Sequence, residues 1–183
     1  LTPETANHQI NWSKSAKYFS DVYSTSNTAP VSVVRNTAGD TQLVLEETDI
    51  APLINSGWVA PIPFSVKARD QITDLYGLLY KPSNFDEAKA YPVLNYLYPG
   101  PQSGSVGTRS FRASRNDKQS LAELGFIVVE LDAMGTPGRS KSFHDAYYGN
   151  MGDNGLPDQI EGIRQLGADN PWMDLERIGI WGH

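Results

Sequence analysis

Arg177-Ile178-Gly179-Ile180-Trp181-Gly182-His183 closes the chain, and its reading decides the rest. The stretch reads as a short buried strand running into a Gly-His pair. Hydrolases with a serine nucleophile carry it on a strained strand-to-helix turn of the form G-x-S-x-G. Gly182 and His183 fit the first two positions, and the serine would come next. The expectation is a piece of a serine hydrolase that stops one residue before its nucleophile and cannot do the chemistry alone. Gly182 then serves backbone geometry and close packing at the elbow. His183 shapes the elbow. It is not read as the general base, which must reach the serine hydroxyl from across the site.

Composition sets the outer limits. The 183 residues are 39% hydrophobic and 20% charged, enough to bury a core and unlike a disordered chain. A net charge of -6 argues against a nucleic-acid partner, which needs clustered Lys and Arg. No apolar run approaches the roughly 18 residues that span a bilayer. With no cysteine, disulfides, thiolate nucleophiles and Cys-based metal sites are excluded from this segment. The histidines, His8, His144 and His183, show no metal spacing, and no cofactor motif is present.

Reading back from the end, Leu156, Ile160, Ile163 and Leu166 recur at helical spacing, with Pro157 and Asp158 suited to a first turn. Phe126-Ile127-Val128-Val129-Glu130-Leu131 is nearly continuous and apolar, as in a strand buried on both faces. A helix is predicted near Asp117 to Leu124, with Gly125 after it. Tyr91 to Tyr98 is a strand that Pro99-Gly100-Pro101 ends. Before it, 63–68 and 75–80 read as an antiparallel pair around a polar turn. This order predicts an α/β sheet with crossover helices. Residues 1–48 differ: four short runs rich in β-branched and aromatic residues, separated by turn residues, make one sheet of propeller-blade size. The domains expected are 1–48 as this β segment, 49–59 as a connector and 60–183 as the α/β part.

Several stretches carry a family resemblance. They are Phe64-Ser65-Val66-Lys67-Ala68-Arg69-Asp70, Leu75-Tyr76-Gly77, Tyr80-Lys81-Pro82, Tyr91-Pro92-Val93, Tyr98-Pro99-Gly100-Pro101, Gly135-Thr136-Pro137-Gly138-Arg139, Phe143-His144-Asp145, Leu156-Pro157-Asp158-Gln159-Ile160 and Pro171-Trp172-Met173-Asp174. Together they resemble the prolyl oligopeptidase family of serine peptidases, in its dipeptidyl-peptidase-IV-like branch. The resemblance implies the N-terminal part of an α/β-hydrolase domain, preceded by the last blade of a β-propeller. It implies a Ser-Asp-His triad, which in chain order would lie beyond His183. It further implies an exopeptidase that releases N-terminal di- or tripeptides, often after proline. It allows a homodimer and favours a periplasmic or secreted location for the complete protein. Met134 departs from the family, where arginine is common.

Tyr98 is the candidate catalytic residue within the chain. As a residue type at a strand end it reads first as core or rim packing. The resemblance assigns it the oxyanion-hole donor role. A phenol stays protonated at neutral pH and can donate to the charge that acyl transfer builds on a carbonyl oxygen. His144 and Asp145 are read as loop structure, and Asp132 and Arg139 as an ion pair bracing their loop. Two other readings stand beside the peptidase: an esterase or acyl hydrolase on the same fold, which the propeller-like start disfavours, and a non-catalytic binding homologue.

Overall fold

A computed structural model of the chain describes residues 1–98, 100–153 and 155–182. It divides into two compact units.

The first unit holds Leu1–Ala60 and Thr108–Ala113. Four strands, β1 (Asn7–Trp12), β2 (Tyr18–Ser24), β3 (Val31–Asn36) and β4 (Thr41–Glu47), pair antiparallel in chain order. Alternation along β2 and β3 buries Phe19, Asp21, Val33 and Arg35. A charged pair therefore sits in the interior. Arg35 Nε donates to Asp21 Oδ2 at 2.9 Å, and its Nη2 donates to both Glu4 oxygens at 2.7 and 2.8 Å. A short helix, α1 (Ala51–Asn55), starts where Asp49 Oδ1 accepts from the Ala51 amide at 2.8 Å. The segment Thr108–Ala113, read from sequence as part of a loop in the α/β part, belongs to this unit. There the Phe111 amide donates to Ser24 Oγ at 3.0 Å and Trp58 Nε1 donates to the Ala113 carbonyl at 2.9 Å.

The second unit is a five-stranded sheet. Its strands are β5 (Ile62–Lys67), β6 (Asp74–Tyr80), β7 (Tyr91–Leu97), β8 (Ile127–Asp132) and β9 (Met173–Gly182), in the spatial order β5-β6-β8-β7-β9. β5 and β6 form the antiparallel pair, while β8, β7 and β9 run parallel. The connections are α2 (Lys118–Glu123), α3 (Lys141–His144), a 3-10 turn over Met151–Asp153, and α4 (Leu156–Asp169). β8 shows why helices cover both faces. Ile127, Val129 and Leu131 join one apolar cluster with Leu166 of α4; Val128 joins another with Ala122 of α2. Each such buried aliphatic contributes about 1.5–3 kcal/mol.

One expectation is corrected. The last strand is neither short nor buried. β9 runs ten residues, and Ile178 and Ile180 are 43% and 60% exposed. Among the described residues its strand partner is β7.

Asp158 bolts α4 to the rest of this unit. Fully buried, it accepts from the Arg69 amide at 3.1 Å, from Arg69 Nε at 2.9 Å and from the Met134 amide at 3.1 Å. Met134 thus braces its loop through its backbone. Asp158→Ala strands these donors and is expected to cost about 3–5 kcal/mol of unfolding free energy in denaturant titration; a cost under about 1 kcal/mol would contradict the account.

His8 gives the first unit a pH dependence. Its Nδ1 meets Asp21 at 2.9 Å and its Nε2 meets the Glu4 carbonyl at 3.0 Å. Both partners only accept, so the ring is held with both nitrogens protonated. Burial opposes that charge, but the bonds to the Glu4 carbonyl and Asp21 outweigh it and raise the ring above its ordinary 6.5. Glu4 is likewise opposed by burial, yet the bond from Arg35 lowers it below 4.5. The raised histidine stabilises fully below 6.5 and loses this as pH rises through its folded value. The lowered carboxyl stabilises above 4.5 and loses this as pH falls. The stability advantage of the native sequence over His8→Gln should therefore be full below pH 6.5 and shrink as the pH rises above it. A pH-independent difference would contradict it.

Candidate active site

The parallel strands aim three chain segments at one rim of the sheet. β7 pairs with β9 so that Leu97 stands opposite Gly182. β7 pairs with β8 so that Tyr96 stands opposite Glu130. Tyr98 follows Leu97, and Asp132 ends β8. Tyr98, Asp132 and Gly182 therefore share the carboxyl edge of the parallel strands, where sites in open α/β sheets form.

Gly182 must be glycine. A Cβ there would lie 1.8 Å from the Leu97 carbonyl oxygen. No side chain fits that approach, so the two strand ends close up only through a bare backbone. His183, the other elbow position expected from sequence, lies outside the described residues, as do Pro99 and Asn154.

Tyr98 is half-buried, one residue beyond β7. Its amide donates to Ser105 Oγ at 2.8 Å, so the loop after it folds back onto it. That loop is fastened at two more points. Asp132 accepts from the Val106 and Gly107 amides at 3.0 and 3.1 Å, and His144 Nε2 donates to the Pro101 carbonyl at 2.6 Å. Asp132 does not pair with Arg139 as expected. The Arg139 guanidinium covers the Phe143 and Tyr76 rings and donates to the Asp74 carbonyl. His144 and Asp145 stay structural: Lys141 pairs with Asp145 across one turn.

A charged cluster that sequence reasoning missed lies behind the rim. Glu130 and Lys118 are almost fully buried. Tyr80 donates to Glu130 Oε1 at 2.7 Å, and Lys118 Nζ stands 3.5 Å from Oε2. The same ammonium lies 3.8 Å from the centre of the Tyr96 ring, which packs 4.9 Å from Trp181. Burial pushes the Glu130 carboxyl up, against the pull of Lys118 and Tyr80. Burial, then the Glu130 charge, pushes the Tyr96 phenol up as well. The available signal was a lone glutamate inside an otherwise apolar strand.

Among the described residues, Glu4, His8 and Asp21 are close enough to share a cation. Arg35 already fills that role with its own charge. The rim carries a tyrosine one residue beyond the strand end that pairs with Gly182. That arrangement suits a donor aimed at a developing oxyanion.

Comparison with known proteins places the chain. The model of the prolyl oligopeptidase family matches residues 111–183. Human dipeptidyl peptidase 8 is 35% identical over 125 residues, covering 68% of this chain and 14% of that protein. A solved Bacteroides ovatus structure, described as a candidate dipeptidyl aminopeptidase IV, superposes with a TM-score of 0.86 at 31% identity, covering 98% of this chain and 25% of that one. Porphyromonas gingivalis dipeptidyl peptidase 4 superposes with a TM-score of 0.79 at 26% identity, covering 99% of this chain and 26% of that one. The chain thus spans about a seventh of the curated relative and a quarter of the solved ones. The two sheets are accordingly the β-strand segment and the first part of the α/β-hydrolase domain of such proteins. The chain belongs to the prolyl oligopeptidase family, on its dipeptidyl-peptidase-IV-like branch.

Proposed function

We propose that the complete protein is a serine exopeptidase that releases di- or tripeptides from peptide N-termini, often after proline. Tyr98 is the side-chain donor of its oxyanion hole. A Ser-Asp-His triad supplied by residues after His183 does the covalent chemistry, and the chain described here is inactive alone. The serine attacks the scissile carbonyl, its proton passes to the histidine, and the carbonyl oxygen becomes an oxyanion. The Tyr98 phenol donates to that oxygen, a bond stronger in the transition state than in the ground state.

The observation that carries this reading is the register between β7 and β9. Leu97 pairs with Gly182 across it, and Tyr98 is the next residue after Leu97, which supports a shared site at that rim. The dipeptidyl peptidase names of the relatives support the substrate class.

Tyr98→Phe in the complete protein should lower kcat on Xaa-Pro chromogenic substrates by about 10²-fold or more, with normal folding, the usual cost of one lost oxyanion donor. An unchanged kcat removes Tyr98 from the mechanism. Fast turnover of simple esters with no N-terminal peptide release would point to an acyl hydrolase instead.

A further inference from the structure

We propose that Asp132 and Ser105 are positioning residues for Tyr98, holding its phenol where the oxyanion forms; this rests on the reading of Tyr98 above. An oxyanion donor works only if held to within about 0.5 Å. Tyr98 has just left β7, so strand pairing no longer fixes its backbone. The Ser105 hydroxyl accepts the Tyr98 amide at 2.8 Å and so ties that backbone to the loop.

Ser105 stands in a loop and needs an anchor of its own. Asp132 supplies it from both sides. Ahead of Ser105, Val106 donates its amide to Asp132 Oδ1 at 3.0 Å and Gly107 donates to Oδ2 at 3.1 Å. Each carboxylate oxygen thus holds one of two successive amides. Behind Ser105, Gly104 lies against the same carboxylate: a Cβ there would stand 2.5 Å from Oδ1. Asp132 itself is rigid, being the last residue of β8, a buried central strand. Bonds from amides to an ionised carboxylate are about twice as strong as neutral ones. Asparagine cannot replace it, because its amide nitrogen would face one of the two N–H donors. The path therefore runs from the β8 tip through two amides and one hydroxyl to the Tyr98 backbone.

The test uses the complete protein, with active sites counted by a fluorophosphonate and rates taken on an Xaa-Pro p-nitroanilide. Ser105→Ala and Asp132→Asn should each lower kcat per titrated site by about tenfold or more, with KM within about twofold, the pattern of a lost transition-state interaction. Ser105→Thr, which keeps the hydroxyl, should restore kcat. Tyr98→Phe combined with Ser105→Ala should be scarcely slower than Tyr98→Phe alone, because both act through one phenol. A scaffolding role alone would reduce the number of titrated sites and leave kcat per site unchanged. That outcome for Ser105→Ala, with Tyr98→Phe slow, overturns the positioning proposal and leaves the role of Tyr98 standing. Normal kcat in Tyr98→Phe overturns both. If Asp132→Asn fails to fold, Ser105→Ala decides alone.

Discussion

The close approach of two parallel strand ends underlies everything proposed for this protein. Leu97 and Gly182 face each other at the tips of β7 and β9. The Leu97 carbonyl occupies the space where any side chain on residue 182 would begin. Ala at 182 would force the strands apart. The same register that tolerates only glycine there sets Tyr98 one step beyond the pair. β8 flanks β7 on its other side and brings Asp132 to the same rim. One backbone contact thus brings Tyr98, Asp132 and the tip of β9 to a single rim.

Charge is handled in a consistent way away from that rim. Three buried carboxyl groups each sit beside a basic side chain: Asp21 by Arg35, Asp158 by Arg69, and Glu130 by Lys118. Such pairs add little net stability, since removing both charges from water costs about as much as their attraction returns. Their effect is on geometry, because losing one partner is expensive. Asp158 fixes where α4 meets the β5–β6 hairpin. Glu130 and Lys118 stand behind Tyr96 and Trp181, the residues just inside the rim.

Much of this was legible in the sequence. The order of strands and helices followed from period and turn chemistry, and most boundaries fell within one to three residues. Tyr98 and Gly182 were singled out as site positions, and the structure sets them at one rim. What stayed hidden were contacts between residues far apart in the chain. Asp158 read only as a helix first-turn residue, because its partners Arg69 and Met134 lie in other elements. Asp132 was assigned to Arg139 because the two are near in sequence, whereas its partners, Val106 and Gly107, offer backbone amides that no pattern marks. Thr108–Ala113 read as loop, since its six residues show no period. β9 read as short because its apolar run starts near Ile178, whereas pairing with β7 carries it back to Met173.

The most direct measurement is a crystal structure of the complete protein with an Xaa-Pro boronate, whose tetrahedral adduct carries an oxygen where the oxyanion would form. The account predicts the Tyr98 hydroxyl about 2.7–3.1 Å from that oxygen, with the loop from Gly100 to Gly107 still seated on Asp132. A Tyr98 ring turned into the interior, with the adduct oxygen held by other groups, would contradict it.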